Sequence, residues 1–429
     1  MSATTATVRP ARAIQGVVRI PGDKSISHRY AMLAALARGT SRFHNFSAAR
    51  DCASTLACVV QLGAQSKRAD DGAFEVTGVG PKLLAPSAPL DCGNSGSTMR
   101  MLSGILAGQP LASELFGDES LSRRPMARII KPLSDMGARI SSSDAGRPPL
   151  KIQGGHLTAI HYKPEVASAQ VKSCVLFAGL FANGETVVDE PIRTRDHGEL
   201  ALKAFGAEVE RHGNVARIRG DQPLTAIEAH VPGDLSSAAF FLCAAALFPG
   251  SQVSLPGILM NPTRARLLDI LIQMGLKITV GQIEQQHGEL VGSLEARGGD
   301  WKGGLIAGAD TAALIDEIPV LAAAAPYSEK GLEVRDAKEL RVKESDRIAA
   351  VATNLRKMGA EVEERPDGLR IPGRQKLHGA EVDSFGDHRI AMAFAVAALR
   401  AEGETLIHGA DAAGVSYPTF FDELRSITG

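Results

Sequence analysis

The chain has 429 residues, which is too long for a single small core and favours two or three domains. Its formal net charge of −1, single Trp and four Tyr argue against a nucleic acid or an anionic membrane surface as partner. The longest apolar run, residues 238–248, is too short to span a membrane. The five cysteines form no CxxC pair and no secretory segment is evident, so we expect reduced thiols in a cytoplasmic protein.

Along the chain, a strand-like segment (GVVRI) comes first, and two kinds of helix then alternate with strands. In one kind, an amphipathic helix ends at a glycine and a strand follows at once. Glycine just after a helix supplies the left-handed cap that ends it, so this pattern predicts alternating helices and strands. The helix-ending glycines are Gly63, Gly137, Gly206, Gly275 and Gly359.

The other kind of helix is apolar nearly all round, which predicts a position inside the fold. Six such helices, each paired with an amphipathic one, define repeats of roughly 65 to 80 residues. We therefore predict an α/β fold with buried helices, in two halves of three repeats. The sequence PGD occurs at Pro21–Asp23 and again at Pro232–Asp234, where we expect the chain to cross between the halves. The six segments are PGDKSISHRYAMLAALA, CGNSGSTMRMLSGILAG, SAQVKSCVLFAGLFA, PGDLSSAAFFLCAAAL, IDEIPVLAAAA and GDHRIAMAFAVAAL.

Unusual polar residues collect at the first turns of these buried helices. A helix N-terminus presents free N–H groups and a partial positive charge, so it favours anions and opposes cations. Side-chain capping explains serine and asparagine there, but it does not explain Lys24 or Arg389. Cations at several N-termini indicate one shared anionic ligand. The residues at these ends are Lys24, Ser25, Arg29, Asn94, Gly96, Ser97, Ser168, Gln170, His388 and Arg389.

Near the end of the chain, the segment LRVKESDRIAAVATNLRKMGAEV combines four charges with a buried stripe. Apolar residues at every third or fourth position from Ile348 to Met358 predict a core-facing helix that the charges open. Counting back by four places Glu344 and Arg347 on the same inward face. One interpretation is a solvated first turn with ordinary charge pairs. The other is a charged site, because a buried charge needs a partner or a ligand, and the cations at the other helix ends favour it.

These segments resemble, in order and spacing, those of the 5-enolpyruvylshikimate-3-phosphate synthase family, from about residue 14 to the end of the chain. The combination of KSxSHR, KESDR and DHRIAM is highly specific. The resemblance implies two inverse α/β barrel-like domains, each of three βαβαββ repeats with buried helices. Residues 1–20 with 233–429 would form one domain and residues 21–232 the other, with the active site in the cleft between them. The matching segments are PGDKSISHR, GNSGSTMR, LSRRPM, SAQVKS, TRDH, LRVKESDRIA and GDHRIAMAFA.

The resemblance implies transfer of the enolpyruvyl group of phosphoenolpyruvate to the 5-hydroxyl of shikimate 3-phosphate, with release of phosphate and no metal or organic cofactor. It also implies inhibition by glyphosate. The catalytic residues would be Asp316, Glu344 and Lys24, and the resemblance leaves open which carboxylate is the acid and which the base. Phosphoenolpyruvate would contact Lys24, Arg124, Arg347, Arg389 and the backbone at Asn94 and Gly96. Shikimate 3-phosphate would contact Ser25, Arg29, Ser168, Ala169, Gln170, Arg195 and Lys343, and Asp316 is also expected to contact substrate.

Two alternatives remain beside this interpretation. An enolpyruvyl transferase acting on UDP-N-acetylglucosamine shares the fold, but it usually carries a reactive cysteine on the loop that is FGDESLSRRPM here. A phosphometabolite-binding protein without turnover would not need both carboxylates. Val415 and Ser416 stand where many relatives have a lysine, so one phosphoenolpyruvate contact is expected to be missing, and Cys92 is expected to be a small buried hydrophobe. We expect a monomer that binds neither nucleic acid nor membrane.

Overall fold

The computed structural model describes residues 4–429. These residues form two compact units. The terminal unit comprises the described residues up to Pro21 together with Pro232–Glu284 and Leu290–Gly429, and the central unit comprises Gly22–Val231 with Gln285–Glu289. Within residues 4–429, no helix is long and apolar enough to cross a membrane.

The chain starts in the terminal unit with a short arm and then builds the central unit. The arm contains β1 (Thr5–Val8) and β2 (Gln15–Val17). The elements of the central unit are α1 (Lys24–Leu36), β3 (Ala37–Arg38), β4 (Thr40–His44), α2 (Arg50–Gln61), β5 (Gln65–Arg68), β6 (Phe74–Thr77), β7 (Leu90–Asp91), α3 (Gly96–Ala107), β8 (Ala112–Phe116), α4 (Glu119–Ser122), α5 (Ala127–Asp135), β9 (Arg139–Ser143), β10 (Arg147–Gln153), β11 (Leu157–Thr158), β12 (His161–Tyr162), α6 (Ala169–Gly179), β13 (Ala182–Asn183), β14 (Glu185–Asp189), α7 (His197–Ala204), β15 (Val209–His212), β16 (Val215–Arg219), β17 (Leu224–Thr225) and β18 (Glu228–His230).

The chain returns to the terminal unit at Pro232. The elements that follow are α8 (Leu235–Ala246), β19 (Gln252–Leu259), α9 (Arg266–Gln273), β20 (Lys277–Gln286), β21 (Glu289–Arg297), β22 (Gly304–Ile306), α10 (Ala309–Ala313), α11 (Ile318–Ala324), β23 (Leu332–Val334), α12 (Arg347–Lys357), β24 (Glu363–Arg365), β25 (Gly368–Ile371), β26 (Glu381–Asp383), α13 (His388–Ala398), β27 (Thr405–His408) and α14 (Phe420–Ser426). The described chain also contains 3-10 turns at Asp144–Gly146, Ala325–Tyr327, Lys338–Val342 and Ala410–Val415.

Six sheets of related topology match the six predicted repeats. In the sheet β18-β4-β6-β5, the first pair is parallel and the other two pairs are antiparallel. The sheets β7-β8-β10-β9, β12-β14-β16-β15 and β22-β23-β25-β24 repeat this pattern. In the fifth sheet, the arm strand β2 runs parallel to β19, and β21 and β20 follow. In the sixth, β26 runs parallel to β27 and the arm strand β1 is antiparallel to it, with Thr5 opposite His408.

The six helices predicted to be interior are α1, α3, α6, α8, α11 and α13, and their burial is confirmed. Every residue of α8 and α11 is buried, and in α13 Arg389 alone is not. The buried helices pack on one another, α3 against α6 in the central unit and α11 against α13 and α8 in the terminal unit. Helices therefore fill the interior of each unit, and the α/β prediction with buried helices is correct.

Local sequence explains how these helices begin and end. Five of the six buried helices begin at a side-chain cap, and α11 has none. The side chains of Asp23, Ser95, Ser168, Asp234 and Asp387 accept hydrogen bonds from backbone N–H groups of the first turn. The five predicted glycines directly follow amphipathic helices with φ between +89° and +113°, so the prediction of left-handed caps is confirmed. Each cap leaves the remaining N–H groups of its helix end available to a ligand.

Candidate active site

Lys24 is the first residue of α1, and it is held by an acid that the sequence did not single out. Its Nζ lies 2.8 Å from Oδ2 of Asp51, the second residue of α2. Both side chains are largely buried, with exposed fractions of 19% and 8%. Thr98 of α3 donates a hydrogen bond of 3.5 Å to the backbone oxygen of Asp51. The N-terminal turns of α1, α2 and α3 therefore meet around this ion pair.

The loop before α3 places Arg124 beside Asn94. Arg124 Nη2 donates to Asn94 Oδ1 at 2.7 Å, and its Nη1 donates to the backbone oxygen of Asn94 at 3.3 Å. Asn94 is fixed from the other side, since its Nδ2 donates to Asp118 Oδ2 at 2.7 Å. A Cβ built on Gly96 would lie 3.4 Å from Arg124 Nη1. Arg124, Asn94 and Gly96, which the sequence assigned to one ligand, are thus neighbours.

Arg29 joins α1 to α6. Its Nη1 donates to the backbone oxygen of Ser25 at 2.8 Å, and its Nη2 donates to that of Ala169 at 3.5 Å and to Ser173 Oγ at 2.9 Å. Burial lowers the pKa of Arg29 to about 10, against the opposing effect of the Glu199 carboxylate. The positive charge of Arg195 also lowers this pKa, which places Arg195 in the electrostatic environment of Arg29. A cation that is this poorly solvated binds an anion strongly.

The first turn of α6 is linked to α3 through side chains. Ser168 caps α6, accepting from Val171 N at 3.4 Å. Gln170 accepts from Arg100 Nη1 at 2.7 Å and donates to Ser97 Oγ at 2.9 Å. Because Arg100 also lies next to Gly96, it connects the two predicted subsites of the central unit. Arg100 was left out of the predicted site.

In the terminal unit, Arg347 is the centre of a buried charge cluster. It is 1% exposed, and its Nε donates to Asp387 Oδ2 at 2.8 Å while its Nη2 donates to Glu344 Oε2 at 2.6 Å. Burial alone would lower the pKa of Arg347, but the carboxylates of Asp387, Glu344 and Asp316 outweigh it and raise the pKa above its ordinary value. Conversely, burial opposes ionisation of Asp387, and Arg347 still holds the pKa of that carboxyl below its usual range. Both groups are therefore charged at neutral pH.

Asp316 lies on the same side of this cluster, next to two further cations. Its Oδ1 is 3.6 Å from Arg347 Nη1 and 3.7 Å from Lys343 Nζ. Arg389, at the start of α13, donates from Nη1 to the backbone oxygen of Asp316 at 2.7 Å. The terminal unit thus brings together all five of its predicted site residues: Asp316, Lys343, Glu344, Arg347 and Arg389.

The predicted start of the helix at the four-charge run is wrong. The helix α12 begins at Arg347 and not at Lys343, because Asp346 occupies the cap position and its Oδ1 accepts from Ala349 N at 3.0 Å. Lys343 and Glu344 lie before the helix. The ion pair between Glu344 and Arg347, which the interpretation as a solvated first turn expected, is present. However, Arg347 is buried, so this turn is not solvated. The inward apolar stripe is confirmed, since Ile348, Val351, Leu355 and Met358 are buried.

Four charged residues at these sites were missed by the sequence interpretation: Asp51, Asp387, Glu317 and Arg100. Asp387 carries a local signal, since it is the cap residue directly before α13, but that signal predicts a cap and not an ion pair with Arg347. Glu317 is adjacent to Asp316 and lies 3.9 Å from Arg389 Nη1. Asp51 carries no local signal, since it sits in an ordinary first helical turn.

The remaining reactive groups are the cysteine thiols and the side chains of types that can bind metals. All five cysteines are free and buried, as predicted for Cys92. Burial raises the pKa of the thiols of Cys52, Cys174 and Cys243. Among residues 4–429, no group of three or more His, Cys, Asp and Glu side chains is placed to hold a metal ion.

Comparison with known proteins gives matches over almost the whole chain. The sequence model of the family "EPSP synthase (3-phosphoshikimate 1-carboxyvinyltransferase)" matches residues 8–424. The 3-phosphoshikimate 1-carboxyvinyltransferase of Koribacter versatilis is 64% identical over 98% of each chain, and that of Solibacter usitatus is 56% identical over 98% of this chain and 99% of its own. A solved structure of EPSP synthase from Acinetobacter baumannii superposes with a TM-score of 0.88 at 40% identity, covering 100% of this chain and 98% of that one.

Proposed function

Because this chain belongs to the EPSP synthase (3-phosphoshikimate 1-carboxyvinyltransferase) family, we propose that two groups of residues bind and convert the substrates of this enzyme: the site residues of the central unit and those of the terminal unit. The enzyme transfers the enolpyruvyl group of phosphoenolpyruvate to the 5-hydroxyl of shikimate 3-phosphate and releases phosphate, a step of the shikimate pathway to the aromatic amino acids. The role of each side chain in this reaction is our proposal. That the two groups surround one pair of substrates stays a prediction.

Charge supports the assignment of ligands. The two substrates carry two phosphates and two carboxylates, and anions of this kind are bound best by guanidinium groups, ammonium groups and helix N-termini. We assign phosphoenolpyruvate to Lys24, Arg124, Arg347 and Arg389 with the backbone at Asn94 and Gly96. We assign shikimate 3-phosphate to Ser25, Arg29, Ser168, Ala169, Gln170, Arg195, Asp316 and Lys343.

The observation that carries this proposal is the state of Arg347. Its Nη1 is buried, and it makes no hydrogen bond to any other part of the chain that the structure describes. Its Nε and Nη2 are committed to Asp387 and Glu344. A buried guanidinium N–H without an acceptor is costly, and a phosphate or carboxylate oxygen of phosphoenolpyruvate would satisfy it. The neighbouring Asp316 Oδ1 lies 3.6 Å from Nη1, an ion-pair distance that is too long for a hydrogen bond.

Two carboxylates serve the proton transfers. In the addition step, the 5-hydroxyl oxygen bonds to C2 of phosphoenolpyruvate, the hydroxyl loses its proton, and C3 gains one. In the elimination step, C3 loses a proton, the bond from C2 to the phosphate oxygen breaks, and phosphate leaves with the electron pair. Asp316 and Glu344 flank Arg347, so both carboxyls lie close to the proposed phosphoenolpyruvate site. We propose that they divide the transfers at the hydroxyl and at C3 between them.

Lys24 is proposed to assist the departure of phosphate. An ammonium group stabilises the charge that develops on the leaving oxygen. Asp51, at 2.8 Å, keeps the Lys24 side chain oriented. No cofactor enters this scheme, since addition and elimination transfer only protons and the phosphate leaving group.

The alternative acceptor, UDP-N-acetylglucosamine, is disfavoured by the cysteines. An enolpyruvyl transferase of that kind usually works with a reactive loop cysteine, whereas every cysteine of this chain is buried. The decisive experiment measures phosphate release from phosphoenolpyruvate with shikimate 3-phosphate, without it, and with UDP-N-acetylglucosamine in its place. Release that depends on shikimate 3-phosphate alone supports the proposal, and release with the nucleotide sugar would overturn the assignment of the acceptor.

Two finer statements about the enzyme stay predictions. We infer that it acts as a monomer and in the cytoplasm. Light scattering at micromolar concentration measures the first, and fractionation of the source cells measures the second.

A further inference from the structure

The segment that carries Arg195 runs from Glu190, directly after β14, to Glu199 in the first turn of α7. Both of its ends contact one buried lysine. Lys172 Nζ, on α6, lies 2.9 Å from Glu190 Oε2 and 2.9 Å from Glu199 Oε1. The exposed fractions of these three side chains are 1%, 1% and 3%. A single ammonium group, on the fourth residue of α6, therefore joins the beginning and the end of the segment to that helix.

Further contacts give the segment one defined conformation. Glu190 accepts hydrogen bonds from the hydroxyl of Thr194 and, at 3.4 Å, from its backbone N–H. Arg211 Nη1 lies 3.2 Å from both Asp196 Oδ2 and Glu199 Oε1. The residues on each side of Arg195 are thus fixed by contacts within the segment and by Arg211 of β15. In this network, Lys172 holds both ends of the segment against α6.

The N-terminal end of α6 also holds three other residues assigned to shikimate 3-phosphate. Ser168, Ala169 and Gln170 form its N-terminal turn, and Ser173 accepts hydrogen bonds from Arg29 at 3.2 and 2.9 Å. The start of α7 lies directly against it, because a Cβ on Gly198 would be 2.5 Å from Ser173 Oγ and 3.6 Å from Arg29 Nε. Lys172 therefore lies on the helix that begins at Ser168, Ala169 and Gln170 and that contacts Arg29 and the start of α7.

Stability alone does not explain a lysine at this position. Removing three charged groups from water is costly, and apolar side chains of similar volume would stabilise such a site as well or better. The triad instead constrains position, because the buried ammonium group is satisfied only while both carboxylates stay within hydrogen-bond distance of it. The position of Arg195 follows from that arrangement.

We propose that Lys172 is a positioning residue for shikimate 3-phosphate, which sets Arg195 relative to Ser168, Gln170 and Arg29 without touching the substrate itself. The inference rests on the proposed role of Arg195. When Lys172 is replaced by an apolar residue, Glu190 and Glu199 lose their common partner and repel each other. The segment then relaxes, and Arg195 no longer meets the substrate in its bound geometry.

The test is Lys172→Met, with the exposed Lys203→Met of the same unit as matched control. We expect KM for shikimate 3-phosphate to rise by about ten-fold or more, the usual effect of losing a charge-assisted contact. We expect kcat at saturation and KM for phosphoenolpyruvate to change by less than about three-fold, since the residues assigned to that ligand lie on other elements. Lys203→Met should match the unaltered enzyme.

A purely structural role would give another pattern. Lys172→Met would then lower the melting temperature and the active fraction while KM for shikimate 3-phosphate stayed unchanged, and that outcome overturns the proposal. If Lys172→Met does not fold, Glu190→Gln replaces it, because it keeps the shape and a hydrogen-bond acceptor for Thr194. The same KM should rise there by about three-fold or more, and an unchanged KM in a folded Glu190→Gln enzyme also overturns the proposal.

A double variant separates this inference from the proposed role of Arg195. If Lys172 acts through Arg195, adding Lys172→Met to Arg195→Met raises KM for shikimate 3-phosphate no further, whereas independent effects multiply. An Arg195→Met enzyme with unchanged KM would refute the assignment of Arg195 itself. A raised KM in Arg195→Met, with effects that multiply in the double variant, would refute the positioning role alone.

Discussion

Replacing Glu344 by glutamine removes one titratable proton from the proposed site and changes little else. The Oε2 atom of Glu344 accepts from Arg347 Nη2 at 2.6 Å, and a glutamine can keep an oxygen acceptor in that place. Arg347 retains its contacts with Asp387 at 2.8 and 3.3 Å. The buried arginine therefore stays compensated, and we expect Glu344→Gln to fold.

The size of each effect follows from these contacts. Exchanging a charge-assisted hydrogen bond for a neutral one costs about 1 kcal/mol, which lowers the melting temperature of a unit of this size by roughly 2–4 °C. Turnover should fall by about 10² or more, because a positioned general acid or base contributes at least that factor. That loss corresponds to about 2.7 kcal/mol in the activation barrier. The Kd for shikimate 3-phosphate should stay within about three-fold, since Glu344 is not assigned to that ligand.

The assay is steady-state phosphate release together with calorimetric titration of shikimate 3-phosphate. Glu329→Gln serves as control, because Glu329 makes an exposed ion pair with Arg374 at 3.3 Å in the same unit. Full turnover in a folded Glu344→Gln enzyme would remove Glu344 from the mechanism.

Two further expectations concern buried groups outside the reacting centre. Burial, followed by the charges of Lys24 and Arg29, holds the pKa of His28 well below its ordinary value. The unfolded chain therefore takes up a proton near pH 6.5 that the folded protein does not, and stability falls below that pH by up to about 1.4 kcal/mol per unit. Urea unfolding between pH 5.5 and 7.5 should show a smaller slope in His28→Asn, and equal slopes would contradict this. Arg264 is buried 3.8 Å from Glu317 Oε1, so Arg264→Met should destabilise the protein by about 3–5 kcal/mol, with Arg264→Lys in between. A loss below about 1 kcal/mol by urea unfolding would mean that Glu317 does not depend on Arg264.

The helices and their ends could be predicted because their signals are local. An all-round apolar helix has no wet face, so α8 and α11 had to be interior whatever surrounds them. A glycine after an amphipathic stripe marks a left-handed cap, and Gly359 after α12 has φ +89°. Charge runs are less informative locally. The same run that was predicted to open α12 also contains Asp346, a strong cap residue, and the cap determined where the helix starts.

The acids that compensate the site cations could not be predicted in the same way. Asp51 is 27 residues from Lys24, and Asp387 is 40 residues from Arg347. Their pairing depends on which helix ends meet after packing, and no periodicity encodes that. Electrostatics requires only that a cation as buried as Arg347, which is 1% exposed, has an acid nearby. This requirement predicts that a partner exists without naming it, which is why Lys24 and Arg347 were found from sequence while Asp51 and Asp387 were not.

Gly96→Ala tests how closely a ligand approaches the backbone at the start of α3. The need for positive φ does not explain this glycine, because Gly96 is the first residue of the helix and the left-handed position of the turn is Gly93, at φ +54°. A Cβ at Gly96 would lie 2.7 Å from Arg100 Nη1, so the guanidinium group must move. Its hydrogen bond of 2.7 Å to Gln170 should weaken, and KM for shikimate 3-phosphate should rise by about three-fold, as for one neutral hydrogen-bond acceptor.

The same methyl group should discriminate between two ligands of the phosphoenolpyruvate site. The family resemblance implies that glyphosate, the longer molecule, binds there, so the Cβ should clash more with glyphosate than with the substrate. We expect inhibition to weaken by more than about ten-fold, equivalent to about 1.4 kcal/mol, while KM for phosphoenolpyruvate rises less. Inhibition curves at fixed shikimate 3-phosphate measure both, with Gly155→Ala as control because a Cβ there meets nothing within 4 Å. Equal losses for inhibitor and substrate would mean that Gly96 serves the Arg100 contact and not the length of the ligand.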